Sequence, residues 1–434
     1  MGRDGSRKED RWYYIFLPYN MAGGSINPLV PLFVTEGLGG NVAQAGIISA
    51  VSSLGGVPGN ILWGNLSDSL KRRRPFIFVG FIGMAFALFL MAISTTISIY
   101  YFANFVYGFL ISAIAPIATV LVIESFGKRE WAQRLGDFSK ISGIGWVAGL
   151  ILGSVWLAIM PGFVESALPM RALFLIAGLL ALISLFLAIR WIPEPGEKID
   201  RKNIEDWILK FPMISFEKVR FLKYKIISIV RVNTIHLARH HFSTDLKKFY
   251  MITFIAFVGF LVFYAVLPIF MKSYVEISTS EVFVIFLASS VVSAISYSSA
   301  GTWVSKYGGK RMLSIALIGR TILFPSFFFV TFLPVSKTMM VLLLSTLHGI
   351  IGLCWAIISV AGNALVSDMA SAEYRTESLG IYNAIQGIGS ILGSVIGGIV
   401  AQVFGFLVSF GVAAIFVFTG LMMLLLILRA DNTS

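Results

Sequence analysis

Long apolar runs recur along most of the 434-residue chain, and they constrain the fold more than any other feature. A helix needs about 20 apolar residues to cross the hydrocarbon core of a bilayer. Twelve runs meet this requirement and predict membrane helices over 12–34, 42–66, 76–95, 98–123, 138–160, 171–192, 249–271, 282–303, 312–332, 338–366, 378–402 and 406–428. An even number of membrane helices places both termini on the same side of the membrane.

The distribution of charge predicts which side that is. Charged residues make up 13% of the chain and hydrophobic residues 57%, whereas ordinary soluble domains carry about 25% charged residues. The net charge of +12 comes mainly from short basic loops, so we interpret it as topological anchoring and not as nucleic-acid binding. Of the 34 Lys and Arg residues, 30 lie in loops that share a face with the N-terminus. The positive-inside rule therefore predicts a multi-pass protein of the cell membrane with both termini in the cytoplasm.

A long polar segment divides the chain into two halves. We predict an N-terminal six-helix bundle over 1–192, a cytoplasmic linker over 193–248 and a C-terminal six-helix bundle over 249–434. In the linker, bases alternate with apolar residues over 216–227, as is typical of a helix on the inner leaflet. His236, His240 and His241 could hold a metal, but no second group of ligands accompanies them, so we favour a solvated or lipid-facing segment.

The two halves repeat each other. Residues 134–153 align with 378–397 at an offset of 244, with eight of twenty positions identical. Both segments keep glycines four residues apart, namely Gly145, Gly149 and Gly153 in the first and Gly389, Gly393 and Gly397 in the second. Such a stripe lets two helix backbones approach closely. We favour packing, including packing between the halves, over direct contact with a substrate.

A basic turn marks the end of the second apolar run in each half. The first reads Gly64-Asn-Leu-Ser-Asp68-Ser-Leu-Lys71-Arg72-Arg73-Arg74-Pro75. A degenerate copy begins 237 residues later at Gly301 and keeps Lys306, Gly308, Lys310 and Arg311, but it has Ser305 in place of the acid. The two turns resemble the loop signature of the major facilitator superfamily, which follows the second helix of each half.

This resemblance implies an all-α membrane protein of twelve transmembrane helices in two pseudo-symmetric six-helix bundles. It further implies a secondary transporter, not an enzyme, that works by alternating access without a cofactor and binds a small molecule between the bundles. We expect a monomer in the lipid bilayer. The implied gate joins the halves at the cytoplasmic side through Asp68 and nearby bases, and Asp68→Asn should weaken the outward-open state. The gate residues are Gly64, Asp68, Arg72, Arg73, Arg74, Glu124, Arg129, Arg134, Gly301, Lys306, Lys310 and Arg311.

Helices 1, 4, 7 and 10 line the cavity in this superfamily, and polar residues at helical spacing mark the same faces here. Helix 10 places His348, Trp355 and Asn363 on one face, and Asn104 is the counterpart of His348 in helix 4. The predicted cavity residues are Asn20, Asn27, Asn104, Tyr264, His348, Trp355 and Asn363. For each asparagine, a helix–helix hydrogen bond remains an equal alternative.

Two ionisable residues lie within apolar helices. His348 suits proton exchange, although a neutral histidine bonded to a neighbouring helix is the alternative. Arg320 could hold an anionic substrate, but helix 9 is peripheral in the superfamily, so we favour a structural ion pair or a side chain that snorkels to the interface. No acid lies deep within a predicted helix. Any proton coupling would therefore rest on His348 or on Asp68.

The sequence contains no phosphate-binding loop, nucleophile triad or zinc-ligand spacing. We favour export of small amphipathic or drug-like molecules, with proton coupling left open, because the predicted cavity holds few fixed charges and several aromatic residues. One alternative is an uptake symporter or facilitator for small organic anions. An alternative of another class is a membrane receptor or scaffold that transports nothing.

Overall fold

The computed structural model describes residues 11–70, 72–125, 131–160, 167–192, 243–371 and 374–427. These residues form helices and contain no strand. The predicted linker helix and its histidines lie outside the described residues, as does Arg129. Within the described part, ten helices are long and apolar enough to cross a membrane. That number counts the last two spans as one and omits the interrupted first span, so the twelve-helix prediction is confirmed.

The N-terminal bundle contains six membrane segments, α1–α6. They are α1 (Arg11–Ile15, Phe16–Ile26, Leu29–Leu32 and Phe33–Gly37), α2 (Val42–Leu70), α3 (Arg74–Ile93), α4 (Ile97–Ile111 and Ile114–Ser125), α5 (Trp131–Ile159) and α6 (Ala167–Trp191). We call the end of the bundles that carries residues 72–74 and 306–311 the basic face. The end that carries residues 38–41 and 275–278 is the opposite face.

The C-terminal bundle contains α7–α12. They are α7 (Thr244–Tyr264, Leu267–Ile269 and Phe270–Tyr274), α8 (Thr279–Tyr307), α9 (Gly309–Phe329 and Val330–Phe332), α10 (Lys337–Met369), and α11 and α12, which share Arg375–Ile427 and divide at Gly405. Ser243 caps α7 by accepting a hydrogen bond from the Leu246 amide, so this bundle begins about five residues before the predicted boundary at 249. Gly308 has a φ of 85° and separates α8 from α9 within the second basic turn.

The internal repeat extends to the irregularities of the helices. α1 is interrupted after Ile26 and α7 after Tyr264, and each continues through a π-helical turn to its end at the opposite face. These turns, Phe33–Gly37 and Phe270–Tyr274, begin 237 residues apart, which is the offset found in the sequence. The two halves therefore share backbone defects as well as hydrophobic pattern.

The glycine stripes bring backbones together inside each bundle. A Cβ atom on Gly149 would lie 2.1 Å from the Met21 carbonyl oxygen, and one on Gly393 would lie 2.3 Å from that of Val258. α5 therefore packs on α1, and α11 packs on α7 in the same way. The expected packing between halves is found at Gly153 alone among the six, where a Cβ would meet the Phe283 ring of α8 at 2.3 Å.

The two bundles meet near the opposite face. Ser154 of α5 and Ser280 of α8 have hydroxyl oxygens 3.1 Å apart, and the Ser280 hydroxyl also donates to the Ser154 carbonyl. The Val42 amide at the start of α2 donates to the Gln402 side chain of α11. Gly46 of α2 lies so close to α11 that a Cβ would be 2.6 Å from the Cα of Gly398. These contacts hold the bundles together at this end.

A candidate substrate cavity between the bundles

A cavity of about 580 Å³ lies between the two bundles. This volume falls within the range of sites that enclose small molecules. Its N-terminal wall carries neutral polar groups, namely Asn27, Ser49, Ser52, Ser53, Asn104 and Tyr107. Its C-terminal wall is aromatic and basic, with Phe257, Phe260, Tyr264, Phe286, Arg320, His348 and Trp355. Among the described residues that line the cavity there is no Asp or Glu.

The structure brings five of the seven predicted cavity residues together, namely Asn27, Asn104, Tyr264, His348 and Trp355. Asn20 is not among the lining residues, because its amide turns back and donates to the Phe16 carbonyl at 2.7 Å. Asn363 is exposed on α10 nearer the basic face and lies outside the cavity lining. Asn104 donates to the Tyr100 carbonyl of its own helix, at 2.8 Å. Their contact with a substrate remains a prediction.

Arg320 contradicts the interpretation that the sequence favoured. Its side chain is fully buried, which excludes snorkelling, and no carboxylate pairs with it among the described residues. The guanidinium carbon lies 4.1 Å from the ring centre of Phe260 and 5.5 Å from that of Trp355. The long side chain of a peripheral helix thus reaches past α7 to the central cavity. The position of the helix axis did not predict the position of the charged group.

The two ring nitrogens of His348 have different surroundings. Nδ1 lies 2.9 Å from the Ile285 carbonyl of α8, and since a carbonyl can only accept, Nδ1 must carry the hydrogen. Nε2 is buried and has no hydrogen-bond partner among the described residues. The ring also packs edge-on against Phe286, with centroids 4.8 Å apart. One nitrogen therefore anchors the side chain, while the other is an unused acceptor in the neutral ring and a donor in the protonated ring.

Sequence reasoning missed the serines of α2 and α8 that line the cavity. Ser52 and Ser53 have their counterparts 237 residues later in Ser289 and Ser290, and all four line the cavity. α4 and α10 approach these serines through glycines: a Cβ on Gly108 would lie 2.0 Å from the Ser52 carbonyl oxygen, and one on Gly352 2.2 Å from that of Ser289. The repeat alignment, extended from α1 and α7 to the next helix pair, contained this signal.

The predicted cavity stripes of α4 and α10 become exposed towards the basic face. In α10, His348 is buried and Asn363 is exposed. In α4, Asn104 is buried, whereas Ala115 and Thr119 on the same face are exposed. Because the bundles touch near the opposite face, the cavity opens towards the basic face.

Hydrogen bonds fix the first basic turn within the N-terminal bundle. The Arg73 guanidinium donates to the Ser67 hydroxyl at 2.8 Å, and Ser67 donates to the Arg72 carbonyl at 2.9 Å. Arg74 donates to the Ile189 carbonyl of α6 and lies over the Phe78 ring. These contacts connect α2, α3 and α6.

The remaining gate residues that the structure describes lie in varied surroundings. In the second copy, Lys306 lies 5.1 Å from the Tyr307 ring centre and Arg311 is exposed. A Cβ added to Gly64 or Gly301 would have no atom within 4 Å. Arg134 and Lys310 both have contacts. The side chains of Asp68 and Glu124 lie outside the described part of the chain, so the latch between the halves remains a prediction.

Two six-helix bundles around a central cavity define a membrane carrier. The chain matches the family Major Facilitator Superfamily over residues 14–349 and again over 249–434. It belongs to that superfamily, whose members are transporters and not enzymes. The resemblance carried by the two basic turns is thereby confirmed.

Individual relatives are distant. The multi-drug resistance efflux pump PmrA of Streptococcus pneumoniae is 26% identical over 201 residues, which cover 44% of this chain and 46% of PmrA. An uncharacterised protein of Archaeoglobus fulgidus is 30% identical over 157 residues, 36% of this chain and 67% of that protein. Among solved structures, a mutant of the nucleoside transporter NupG superposes with a TM-score of 0.73 at 14% identity, covering 96% of this chain and 99% of NupG. At that identity the likeness shows the fold alone.

Proposed function

We propose that the protein is a secondary transporter that exports small amphipathic molecules by alternating access. The central cavity carries this proposal, because it lies between two bundles that touch near one face and part towards the other. The positive-inside rule assigns the basic face to the cytoplasm. The conformation described here is then the one that receives substrate from the cytoplasm.

The two walls support an amphipathic substrate. Aromatic rings on the C-terminal wall offer large apolar contacts, and hydroxyl and amide groups on the N-terminal wall offer hydrogen bonds. The distant similarity to a protein described as a multi-drug efflux pump supports export of drug-like compounds. For proton coupling, His348 lines the cavity and its Nε2 is a titratable atom that has no partner among the described residues.

Uptake of an amphipathic fluorescent dye into proteoliposomes tests the proposal. With the basic face outward, we expect saturable accumulation inside the vesicles that responds to an imposed proton gradient. Ser290→Trp should abolish accumulation because it places an indole in the cavity. Ser326→Trp is the matched control, since Ser326 is half-buried on α9 and lies outside the cavity lining. If the purified protein moves no candidate dye under any gradient, the transporter proposal fails and the receptor or scaffold is favoured.

A further inference from the structure

We infer that the C-terminal wall of the cavity is an anion site, and that the substrate is an aromatic organic acid whose carboxylate binds Arg320. This inference rests on the proposed function and narrows it to one chemical class. We base it on the Arg320 guanidinium, which contacts aromatic rings while two of its three nitrogens have no hydrogen-bond partner among the described residues.

Arg320 is a buried charge without a protein counter-ion among the described residues. Its side chain has no solvent exposure, and a guanidinium keeps its proton in proteins. Nη2 makes one long contact, 3.4 Å to the Tyr264 hydroxyl, whereas Nε and Nη1 have no hydrogen-bond partner in the described part of the chain. Burying an unpaired charge is strongly unfavourable. An anion that enters the cavity would supply the missing partner.

The aromatic residues around Arg320 leave its Nε and Nη1 donors without an oxygen acceptor among the described residues. Phe260, Trp355 and Tyr264 place their ring centres 4.1, 5.5 and 5.6 Å from the guanidinium carbon. Such contacts stabilise a cation, but they do not accept its N–H groups as an oxygen does. The guanidinium donors lie in one plane and suit the two oxygens of a carboxylate. The same rings offer surfaces on which an aromatic body can pack.

Tyr264 and His348 add directional groups beside the arginine. The Tyr264 hydroxyl accepts from Arg320, so its own hydrogen is free to be donated to a ligand oxygen. His348 packs against Tyr264 with ring centroids 6.1 Å apart, and its Nε2 has no partner among the described residues. The basic wall thus has donors from three side chains when His348 is protonated.

The charge is confined to one wall. At the repeat offsets the counterpart of His348 is Asn104 and that of Tyr264 is Asn27, both neutral amides. Arg320 corresponds to Gly83 at an offset of 237 and to Phe76 at 244, so neither alignment gives a second cation. The ligand is therefore oriented, with its acid on the C-terminal wall and its neutral polar groups on the N-terminal wall.

Binding of a matched pair of probes, naphthoate and its neutral amide naphthamide, tests the inference. With the purified protein in nanodiscs of zwitterionic lipid, we expect calorimetry to show naphthoate binding about tenfold to a hundredfold tighter, as charged hydrogen bonds require. Arg320→Gln should abolish this preference while retaining naphthamide binding, which also reports that the variant is folded. Arg320→Lys should keep part of the preference, because lysine supplies the charge but not the planar fork.

Arg171→Gln is the matched control. Arg171 lies near the opposite face, where it donates to the Ala92 carbonyl, and its removal should leave the preference unchanged. Equal affinity of the wild-type protein for the two probes overturns the inference without any variant. An undiminished preference in Arg320→Gln does the same. The dye assay separates the two proposals. Dye transport without a preference for naphthoate would support the transporter and contradict the anion site. A preference for naphthoate without dye transport would support the anion site and contradict the transporter.

Discussion

At the scale of single residues, the two ring nitrogens of His348 have different roles: Nδ1 anchors the side chain, and Nε2 is available for another role. Nδ1 donates to the Ile285 carbonyl of α8, while Nε2 has no hydrogen-bond partner among the described residues. Asparagine can imitate the Nδ1 donor, and glutamine can place its amide near the position of Nε2. The two substitutions therefore separate the anchoring role of this side chain from a proton-carrying role.

We expect His348→Asn to preserve thermal stability in detergent and to remove the dependence of transport on an imposed proton gradient. His348→Gln should lose the Ile285 contact and lower stability by about 1 kcal/mol, the usual contribution of one hydrogen bond. Thermal unfolding and dye transport at several external pH values check both. Gradient-dependent transport that survives in His348→Asn would exclude His348 as the coupling group.

Sequence reasoning located cavity residues better than it assigned their roles. Helical spacing found His348 and Trp355, because polar or aromatic positions on one helix face share an environment. It misassigned Arg320, since the end of a long side chain lies several ångströms from its backbone and can pass between neighbouring helices. It also included Asn20, whose amide is satisfied one turn away on its own helix. Spacing does not encode such local competition for hydrogen bonds.

At the scale of helices, the contact between α5 and α1 requires glycine. A methyl group on Gly149 would overlap the Met21 carbonyl oxygen, so α5 would have to move away from α1. We expect Gly149→Ala to destabilise the protein by about 1–3 kcal/mol, as overpacking does. The measurement is the thermal unfolding midpoint in detergent.

Gly143→Ala is the control on the same helix, because no atom lies within 4 Å of the added Cβ. It should be neutral or slightly stabilising, since alanine favours a helix over glycine by up to about 1 kcal/mol. Equal losses of stability in the two variants would mean that the close contact with Met21 does not limit the packing of α5.

Hydropathy predicted most helices to within a few residues, because a membrane helix must be apolar over a fixed length. It could not predict how far helices extend beyond the hydrocarbon. α2 reaches Leu70 and α5 begins at Trp131, both past the predicted apolar runs on the basic face. Hydropathy also did not predict that the first span divides near Asn27, although a proline, Pro28, comes directly after that residue.

At the scale of the whole molecule, the contact near the opposite face must separate if the cavity is to open there. Ser154 and Ser280 belong to different bundles and have hydroxyl oxygens 3.1 Å apart. We expect oxidation of the Ser154→Cys/Ser280→Cys pair to stop transport and a reductant to restore it. The native Cys354 is buried and should not compete for the cross-link.

Each single-cysteine variant provides the control, because neither can join the bundles through these positions. Full transport by a completely cross-linked protein would contradict opening at this face. The complementary latch at the basic face remains our proposal for Asp68. Topology and internal symmetry could be predicted from the sequence, whereas the open face could not, since one sequence must support both conformations of a carrier.

The paired π-helical turns bear on the ancestry of the chain. A π turn encloses one more residue than an α turn, and the offset of 237 holds on both sides of the turn, at Pro31 and Pro268 before it and at Ser52 and Ser289 after it. A residue inserted into one half after duplication would have changed that offset at the turn. We infer that the ancestral six-helix unit already carried the turn when its gene doubled. A relative with the turn in one half, and an offset altered by one residue across it, would instead date the insertion after the doubling.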